Sequence, residues 1–145
     1  MKIYLLDINV LMALLWTNHE QHEAASQWFQ RHNKSGWASC PLTQAGFVRI
    51  SSNPRVFSHE PSPAKAVEIL EANLKHPKHH FFKDELNFSA AIKSFGENFS
   101  GHQQTTDAYL LGLAIHKNAI LATFDRSIAA LAGTNDDTMK SLEIL

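Results

Sequence analysis

The sequence is 145 residues long and 44% hydrophobic, which suits a single domain around one core. Its 13 basic and 14 acidic residues leave a formal net charge of −1, which excludes the broad positive field of a protein that binds nucleic acid without selectivity. No apolar stretch approaches the ~20 residues needed to cross a bilayer, so we expect no membrane-spanning segment.

The first half of the chain alternates apolar runs with segments of helical periodicity. Ile3–Leu6 is a continuous apolar run ended by Asp7, a pattern typical of a strand buried on both faces of a parallel sheet. Asn9 can cap the helix that follows. In chain order we predict helices over residues 10–16 and 21–32, a strand over 37–40 and a helix over 43–50.

The second half continues this alternation and contains the most apolar helix. Pro61 and Pro63 predict the start of a helix that extends to Leu74. A helix that begins at Thr105 or Thr106 and runs to residue 117 is apolar nearly all round, so it should be buried. Shorter elements are predicted as strands at 80–82 and 119–123, helices at 88–95 and 128–131, a loop at 133–138 and an edge strand at 142–145.

Strands that alternate with helices predict one α/β domain over residues 1–145. Right-handed crossovers between parallel strands place helices on both faces of the sheet. We therefore expect a three-layer fold in which a short, mainly parallel sheet is flanked by helices.

Three acidic residues are predicted near the carboxyl edge of the sheet, where proteins of this class bind their ligands. Ligands of an open parallel sheet bind outside the carboxyl ends of the strands, and Asp7 and Asp125 each follow a predicted strand. Asp107 lies in the first turn of the buried helix and joins them if that helix begins at the same edge. Clustered carboxylates repel one another, and a hard divalent cation removes the repulsion. The sequence therefore predicts a Mg²⁺ or Mn²⁺ site, since no Cys or His accompanies the acids.

Each acid also has an ordinary interpretation when it is taken alone. The first can end a strand, the second can complement a helix dipole, and the third can begin a turn. Their combination at equivalent ends favours a functional site. Asn9, Thr106 and Thr123 flank the acids and could hold the carboxylates or metal-bound water, although helix capping explains Asn9 and Thr106 equally well.

Four short motifs occur in order along nearly the whole chain: LLDINVL at residues 5–11, TQAGFVR at 43–49, TDAYL at 106–110 and ATFDR at 122–126. None is specific alone. Together, with HEAASQWF at residues 22–29 between the first two, they resemble the PIN domains of VapC-type toxins from bacterial toxin–antitoxin pairs.

This resemblance implies a PIN-like fold and an endoribonuclease that hydrolyses RNA phosphodiesters with Mg²⁺ or Mn²⁺. It implies that Asp7, Asp107 and Asp125 are the catalytic, metal-binding acids, and it adds Thr43 to the residues that support them. It also implies a homodimer and a cognate antitoxin that occupies the active-site groove.

One position departs from the family pattern. PIN domains of this type usually have a Glu three residues after the threonine that corresponds to Thr43, whereas this sequence has Gly46. Three acids can hold one Mg²⁺, but a second ion would lack ligands. Glu23, Asp84 or Glu85 could replace the missing acid only if the fold brings one of them close.

Contact with RNA must be local, given the balanced charge. Arg31, Lys34, Arg49 and Arg55 form a candidate basic segment, which is otherwise a set of ordinary solvated charges. Arg49 is the candidate for contact with the RNA backbone, because a guanidinium binds phosphate in a bidentate manner.

Two other functions stay open on the sequence alone. A catalytically weak PIN domain that binds RNA or a protein partner is compatible with Gly46. An aspartate-nucleophile phosphotransferase of the haloacid dehalogenase type is compatible with Asp7 at the end of a strand. That chemistry needs a second Asp two residues later, where this chain has Asn9.

The histidines and the cysteine have less specific interpretations. His76, His79 and His80 form a cluster, but structural zinc sites normally include cysteine, so exposure or RNA contact is favoured. Cys40 is the single cysteine and is interpreted as a core residue rather than a nucleophile. The lack of a disulfide pair and of a signal-peptide pattern favours a cytoplasmic protein.

Overall fold

The computed structural model describes residues 1–56 and 62–145, which contain five β-strands and eight α-helices. The strands are β1 (Ile3–Leu6), β2 (Gly36–Ser39), β3 (His79–Phe81), β4 (Ile120–Thr123) and β5 (Leu142–Ile144). The helices are α1 (Ile8–Leu15), α2 (His22–Arg31), α3 (Pro41–Ser51), α4 (Pro63–Leu74), α5 (Phe88–Ile92), α6 (Thr105–His116), α7 (Ala129–Ala132) and α8 (Asp136–Met139).

The five strands form one parallel sheet in the order β3-β2-β1-β4-β5. The predicted α/β class with a mainly parallel sheet is confirmed. Leu6 at the end of β1 pairs with Ala122 of β4, and the N–H of Asp7 continues the pairing by donating to the carbonyl of Ala122 at 3.0 Å. The carboxyl ends of β1 and β4 therefore lie side by side, which brings Asp7 close to the chain that leads into Asp125.

The side chains of β1 divide the core into two layers, because successive strand residues point to opposite faces. Leu5 packs into a cluster that contains the buried residues of α6. Tyr4 and Leu6 pack into a second cluster, which contains buried residues of α1, α2, α3 and α4. The predicted three-layer arrangement is confirmed.

Helix α6 is buried as its composition predicts, with Leu110, Leu111 and Leu113 fully enclosed. It also packs closely against α5. A Cβ at Gly112 would lie 2.1 Å from the carbonyl oxygen of Ala91. Any residue larger than glycine would therefore force the two backbones apart. Glycine at this position therefore permits the close packing of α6 on α5.

Several predicted boundaries differ from those of the structure, and two of the differences have clear local reasons. Helix α3 begins at Pro41 instead of residue 43, because proline is favoured in the first turn of a helix. The segment predicted as a loop at 133–138 includes the start of α8, since Asn135 Oδ1 accepts the N–H of Thr138 at 3.1 Å and caps that helix.

The start of α4 agrees in part with the prediction. Pro63 occupies its first position, and Ser62 caps it by accepting the N–H of Lys65 at 3.1 Å. Pro61 lies outside the described residues. Within the two described ranges, no helix has both the length and the apolar character that crossing a bilayer requires.

Candidate active site

A cleft of about 300 Å³ opens at the carboxyl edge of the sheet. Asp7, Asp107 and Asp125 all line it, together with Asn9 and His19. The acids reach it from the end of β1, the first turn of α6 and the end of β4, which are far apart in sequence. The fold thus gathers in one place the three carboxylates that the sequence singled out.

Asp7 is the most deeply buried of the three acids, with 5% of its surface exposed. Its Oδ1 accepts the N–H of Ile8 at 2.7 Å and its Oδ2 accepts the hydroxyl of Thr123 at 2.7 Å. Burial raises the pKa of the Asp7 carboxyl, and the negative charge of Asp125 raises it further. The two hydrogen bonds lower the pKa, but the net effect is a rise. Each carboxylate oxygen can accept more than one partner, so a cation can still bind.

The hydroxyl of Thr123 joins the ends of β1 and β4. It donates to Asp7, and it accepts the N–H of Asp125 at 3.0 Å and a hydrogen from Nδ2 of Asn9 at 3.2 Å. The Oδ1 of Asn9 accepts the N–H of Phe124 at 3.2 Å. The one donor and both acceptor positions of the hydroxyl are used, so Thr123 and Asn9 hold the Asp7 carboxylate and the backbone at Asp125 in a fixed relation.

Asp125 begins a 3₁₀ turn directly after β4. Its Oδ1 accepts both the N–H and the hydroxyl of Ser127, at 2.9 and 2.6 Å. Because Oδ1 carries these two bonds, Oδ2 is the oxygen available for a ligand in the cleft.

Asp107 is partly buried in the first turn of α6. Burial and the charges of Asp7 and Asp125 raise the pKa of its carboxyl to about 6. Both other acids contribute to this shift, so the three carboxylates repel one another across the cleft. A positive ligand would relieve that repulsion.

The residues of the cleft fit a hard divalent cation. None of the ion pairs formed within residues 1–56 and 62–145 includes one of the three acids, so their charges are not neutralised by the protein. In the same ranges no three Cys, His, Asp or Glu side chains already converge on one ion position. Mg²⁺ usually retains several waters, so it does not need three carboxylates in direct contact.

Gly46 lies on the face of α3 that packs against α1. A Cβ at this position would lie 2.3 Å from Cδ1 of Ile8, so the side chain of Ile8 occupies the space into which a larger residue would extend. Ile8 and Ile50 both line the acid cleft. This wall of the cleft is therefore apolar where the family pattern has an acid.

The three acids that could replace the glutamate of the family pattern all lie outside the cleft. Glu23 is exposed on α2, Asp84 accepts the hydroxyl of Tyr109, and Glu85 forms an ion pair with Lys117. None of these acids lines the cleft. The cleft has three carboxylates from the described chain.

Three of the predicted site residues, Thr43, Thr106 and Arg49, do not line the acid cleft. Thr43 is buried and caps α3, since its Oγ1 accepts the N–H of Cys40 at 3.0 Å and donates to the Cys40 carbonyl at 3.1 Å. Thr106 is exposed beside Asp107 and lines a neighbouring pocket. Arg49 is exposed in the last turn of α3 and lines a groove between α3 and α4.

The contacts of His79 and the burial of Cys40 indicate structural roles for both residues. The Oγ of Ser39 and the Nε2 of His79 share a hydrogen bond of 2.8 Å, and the His79 ring lies 4.5 Å from that of Trp37. The part of the chain described here contains no three-residue zinc site. Cys40 is buried in the core.

His19 is a polar residue of the cleft that the sequence did not single out, and the apolar cleft residues were not predicted either. It follows α1, and its Nδ1 accepts the N–H of Gln21 at 3.0 Å. In the neutral ring the proton is therefore on Nε2, which leaves this atom as a donor. No periodicity or motif identifies such a residue, because only the turn between α1 and α2 brings it back to the acids.

Comparisons with known proteins agree with this geometry. The family model described as PIN domain matches residues 4–134. The chain is 40% identical over 125 residues to Ribonuclease VapC39 of Mycobacterium tuberculosis, covering 86% of this chain and 90% of that protein. It is 41% identical over 132 residues to Ribonuclease VapC44 of the same organism, covering 88% and 89%.

A solved structure has a similar fold. The crystal structure of VapBC2 from Rickettsia felis bound to a DNA fragment from their promoter matches with a TM-score of 0.56, covering 89% of this chain and 92% of that chain at 17% identity. At this identity the match establishes only the fold. The resemblance found in the four motifs is confirmed by the family match and the relatives, and the chain belongs to the PIN-domain family.

Proposed function

We propose that this protein is a metal-dependent endoribonuclease, the toxin of a toxin–antitoxin pair, whose residues 1–145 act as one domain. The observation that carries the proposal is the cleft in which Asp7, Asp107 and Asp125 meet in a PIN-domain chain. The relatives named as VapC ribonucleases support the same activity.

The three acids would hold Mg²⁺ or Mn²⁺ at the edge of the sheet, where Thr123 positions the Asp7 carboxylate and the backbone at Asp125. When bound, the ion polarises the scissile phosphate and activates water for hydrolysis. Without it, the carboxylates repel the phosphates of RNA. The acids therefore make substrate binding as well as hydrolysis dependent on metal.

The proposal includes the partners of the protein. Its substrate is RNA, its cognate antitoxin occupies the active-site groove, and it acts as a homodimer in the cytoplasm. The fold match to a VapBC structure supports the antitoxin partner.

Cleavage of a pool of structured RNAs tests the activity. Purified protein is incubated with the pool in Mg²⁺, in Mn²⁺ or in a chelator, and internal cuts are mapped. We expect cuts with either metal and none in the chelator. Cutting that persists in the chelator would contradict a metal-dependent mechanism.

One observation favours a second function. Ile8 and Gly46 leave an apolar wall where the family pattern has an acid, which is compatible with a PIN domain that binds RNA or a protein partner but cuts weakly. RNA binding without metal-dependent cleavage in the same experiment would favour this alternative.

Arg49 contacts the RNA backbone in this proposal, although it lies outside the acid cleft. Arg49→Ala should weaken RNA binding and reduce the slope of log affinity against log salt by about one, because one phosphate contact is lost. Affinity is measured across a salt series, with Lys140→Ala as the control, because Lys140 is an exposed cation outside the candidate basic segment. An unchanged slope would assign Arg49 a structural role.

His19 donates from Nε2 to a phosphate oxygen of bound RNA in this proposal. His19→Ala should lower kcat/KM by about tenfold or more, since hydrogen bonds to charged groups contribute about 1.5–3 kcal/mol. His19→Gln retains a donor and should recover part of the loss. If both variants cleave like wild type, His19 only shapes the turn before α2.

A further inference from the structure

A second pocket lies next to the acid cleft along the same edge of the sheet. It encloses about 460 Å³ between the chain that follows β2, the chain that follows β3 and the first turns of α6. Thr105 and Thr106 of α6 line it, and Asp107 follows them directly in the acid cleft. The two cavities are therefore neighbours on one helical turn.

One wall of this pocket offers a flat aromatic surface. Phe88 lines the pocket and is 39% exposed. Its ring packs at a steep angle against that of Phe99, with centroids 5.9 Å apart, so Phe99 restricts its movement. Leu42 and Leu86 complete an apolar lining. Exposed aromatic rings of this kind stack on nucleobases.

The polar groups of the pocket have a defined arrangement. The hydroxyl of Tyr109 donates to Oδ1 of Asp84 at 2.5 Å, which fixes the carboxylate and leaves Oδ2 as an acceptor. Asn87 uses its Oδ1 to accept the N–H of Ala90 at 2.9 Å and the hydroxyl of Ser89 at 3.0 Å. Its Nδ2 hydrogens have no acceptor among residues 1–56 and 62–145, so the amide remains a donor.

We propose that this pocket binds one unpaired nucleobase of the RNA substrate next to the scissile phosphate and that it selects guanine. The inference rests on the proposed ribonuclease function and adds its substrate specificity. An RNA chain with a phosphate at the acids must place a neighbouring base within reach of the adjoining pocket. The base stacks on Phe88 and presents its pairing edge to Asp84 and Asn87.

Guanine fits these groups better than the other bases. Its pairing edge carries two adjacent donors, N1–H and the N2 amino group, beside the O6 acceptor. Asp84 accepts one donor on Oδ2 and the other on the second acceptor position of Oδ1, and the Asn87 amide donates to O6. Adenine and cytosine have one amino group next to an unprotonated ring nitrogen, which faces the carboxylate unfavourably. Uracil has a single donor between two acceptors.

Cleavage of matched oligoribonucleotides tests the selection. After the cut site is mapped, four substrates are made that differ only in the base beside the scissile bond. We expect wild-type kcat/KM to favour guanine by about 5- to 150-fold, the range of a good bidentate contact to a base. Asp84→Asn keeps an acceptor for Tyr109 but loses the carboxylate, and it should remove most of this preference.

Glu85→Gln is the matched control, because it makes the same chemical change at an acid that pairs with Lys117 instead of lining the pocket. It should retain the preference for guanine. If wild type cuts RNA but Asp84→Asn discriminates among the four substrates as wild type does, the inference is overturned while the ribonuclease function stands.

Binding of mononucleotides tests the pocket without any cleavage. Guanosine and adenosine monophosphates are titrated separately into the protein while the backbone amide signals of Asn87 and Phe88 are followed by NMR. We expect guanosine monophosphate to shift these signals at concentrations where adenosine monophosphate does not, and Asp84→Asn to remove the difference. Equal shifts, or none with either nucleotide, would overturn the inference even if the protein cuts no RNA.

Discussion

Asp107→Asn should abolish metal-dependent RNA cleavage and leave the protein folded. The substitution keeps the size of the side chain but removes one of the three charges that we propose hold the cation. Metal polarisation contributes several kcal/mol to such hydrolysis, and each 1.36 kcal/mol is tenfold in rate, so we expect a loss of at least about a hundredfold. Cleavage of one mapped RNA is measured at saturating metal.

The same variant should be more stable than wild type when no metal is present. Asp107 has a folded-state pKa of about 6, above its ordinary value of 3.8, so its charged form is disfavoured by folding. The resulting penalty is absent below pH 3.8, grows as the pH rises and is complete above about pH 6. After allowance for solvent screening, the variant should gain about 1 kcal/mol at pH 8 and nothing at pH 3.

Asp137→Asn is the control, since Asp137 lies on the surface of α8 with 93% of its side chain exposed. It should change neither cleavage nor stability appreciably. If Asp107→Asn melts well below wild type at pH 8, Asp107 acts mainly at the start of α6, where loss of a dipole interaction or cap costs about 0.5–2 kcal/mol. If it cuts RNA normally, the nuclease assignment of the cleft fails.

The acids were accessible to prediction because each follows from a local pattern. Asp7 and Asp125 end apolar runs, and Asp107 begins the most apolar helix of the chain. The rule that parallel strands share a carboxyl edge is then enough to bring their positions together. Because β1 lies beside β4, the hydroxyl of Thr123 also joins Asp7 to the backbone of Asp125. The sequence identified Thr123 as a neighbour of the acids but did not specify this contact.

Other parts of the site depend on long-range packing and were not accessible. The cavity above Gly46 is filled by Ile8, 38 positions earlier in the chain, and nothing near either residue indicates the contact. The pocket that contains Asp84 and Phe88 forms from three separated segments. His19 reaches the cleft only through a turn whose path no periodicity specifies.

Arg49 was predicted from a motif, but its position relative to the acids was not. Its motif predicts contact with RNA near the acids, but a helix distributes neighbouring residues around its axis. Gly46 and Ile50 of α3 face α1 and the acid cleft, whereas Ala45, Arg49 and Ser52 face the groove toward α4. A sequence motif therefore located the helix without specifying which cavity each of its residues lines.

The wild-type protein should gain thermal stability from Mg²⁺ or Mn²⁺, because a ligand that binds only the folded state stabilises it. At a concentration a hundredfold above the dissociation constant the gain is about 2.7 kcal/mol, provided that the unfolded chain does not bind. For a chain of this size that corresponds to a rise in Tm of roughly 10 °C. In the proposed site, relief of the repulsion among Asp7, Asp107 and Asp125 favours binding of the cation to the folded cleft.

Asp107→Asn should gain less at the same metal concentration, since it removes a coordinating oxygen and part of the charge that retains the cation. If its dissociation constant is tenfold higher, the gain falls to about 1.4 kcal/mol. Melting curves are recorded with metal and with sodium chloride of equal ionic strength, which separates ion binding from screening of surface charge. Asp137→Asn should gain as much as wild type. An equal gain in Asp107→Asn would show that the stabilising ion binds elsewhere, because a carboxylate that contributes to binding cannot be removed without changing the free energy of the metal-bound state.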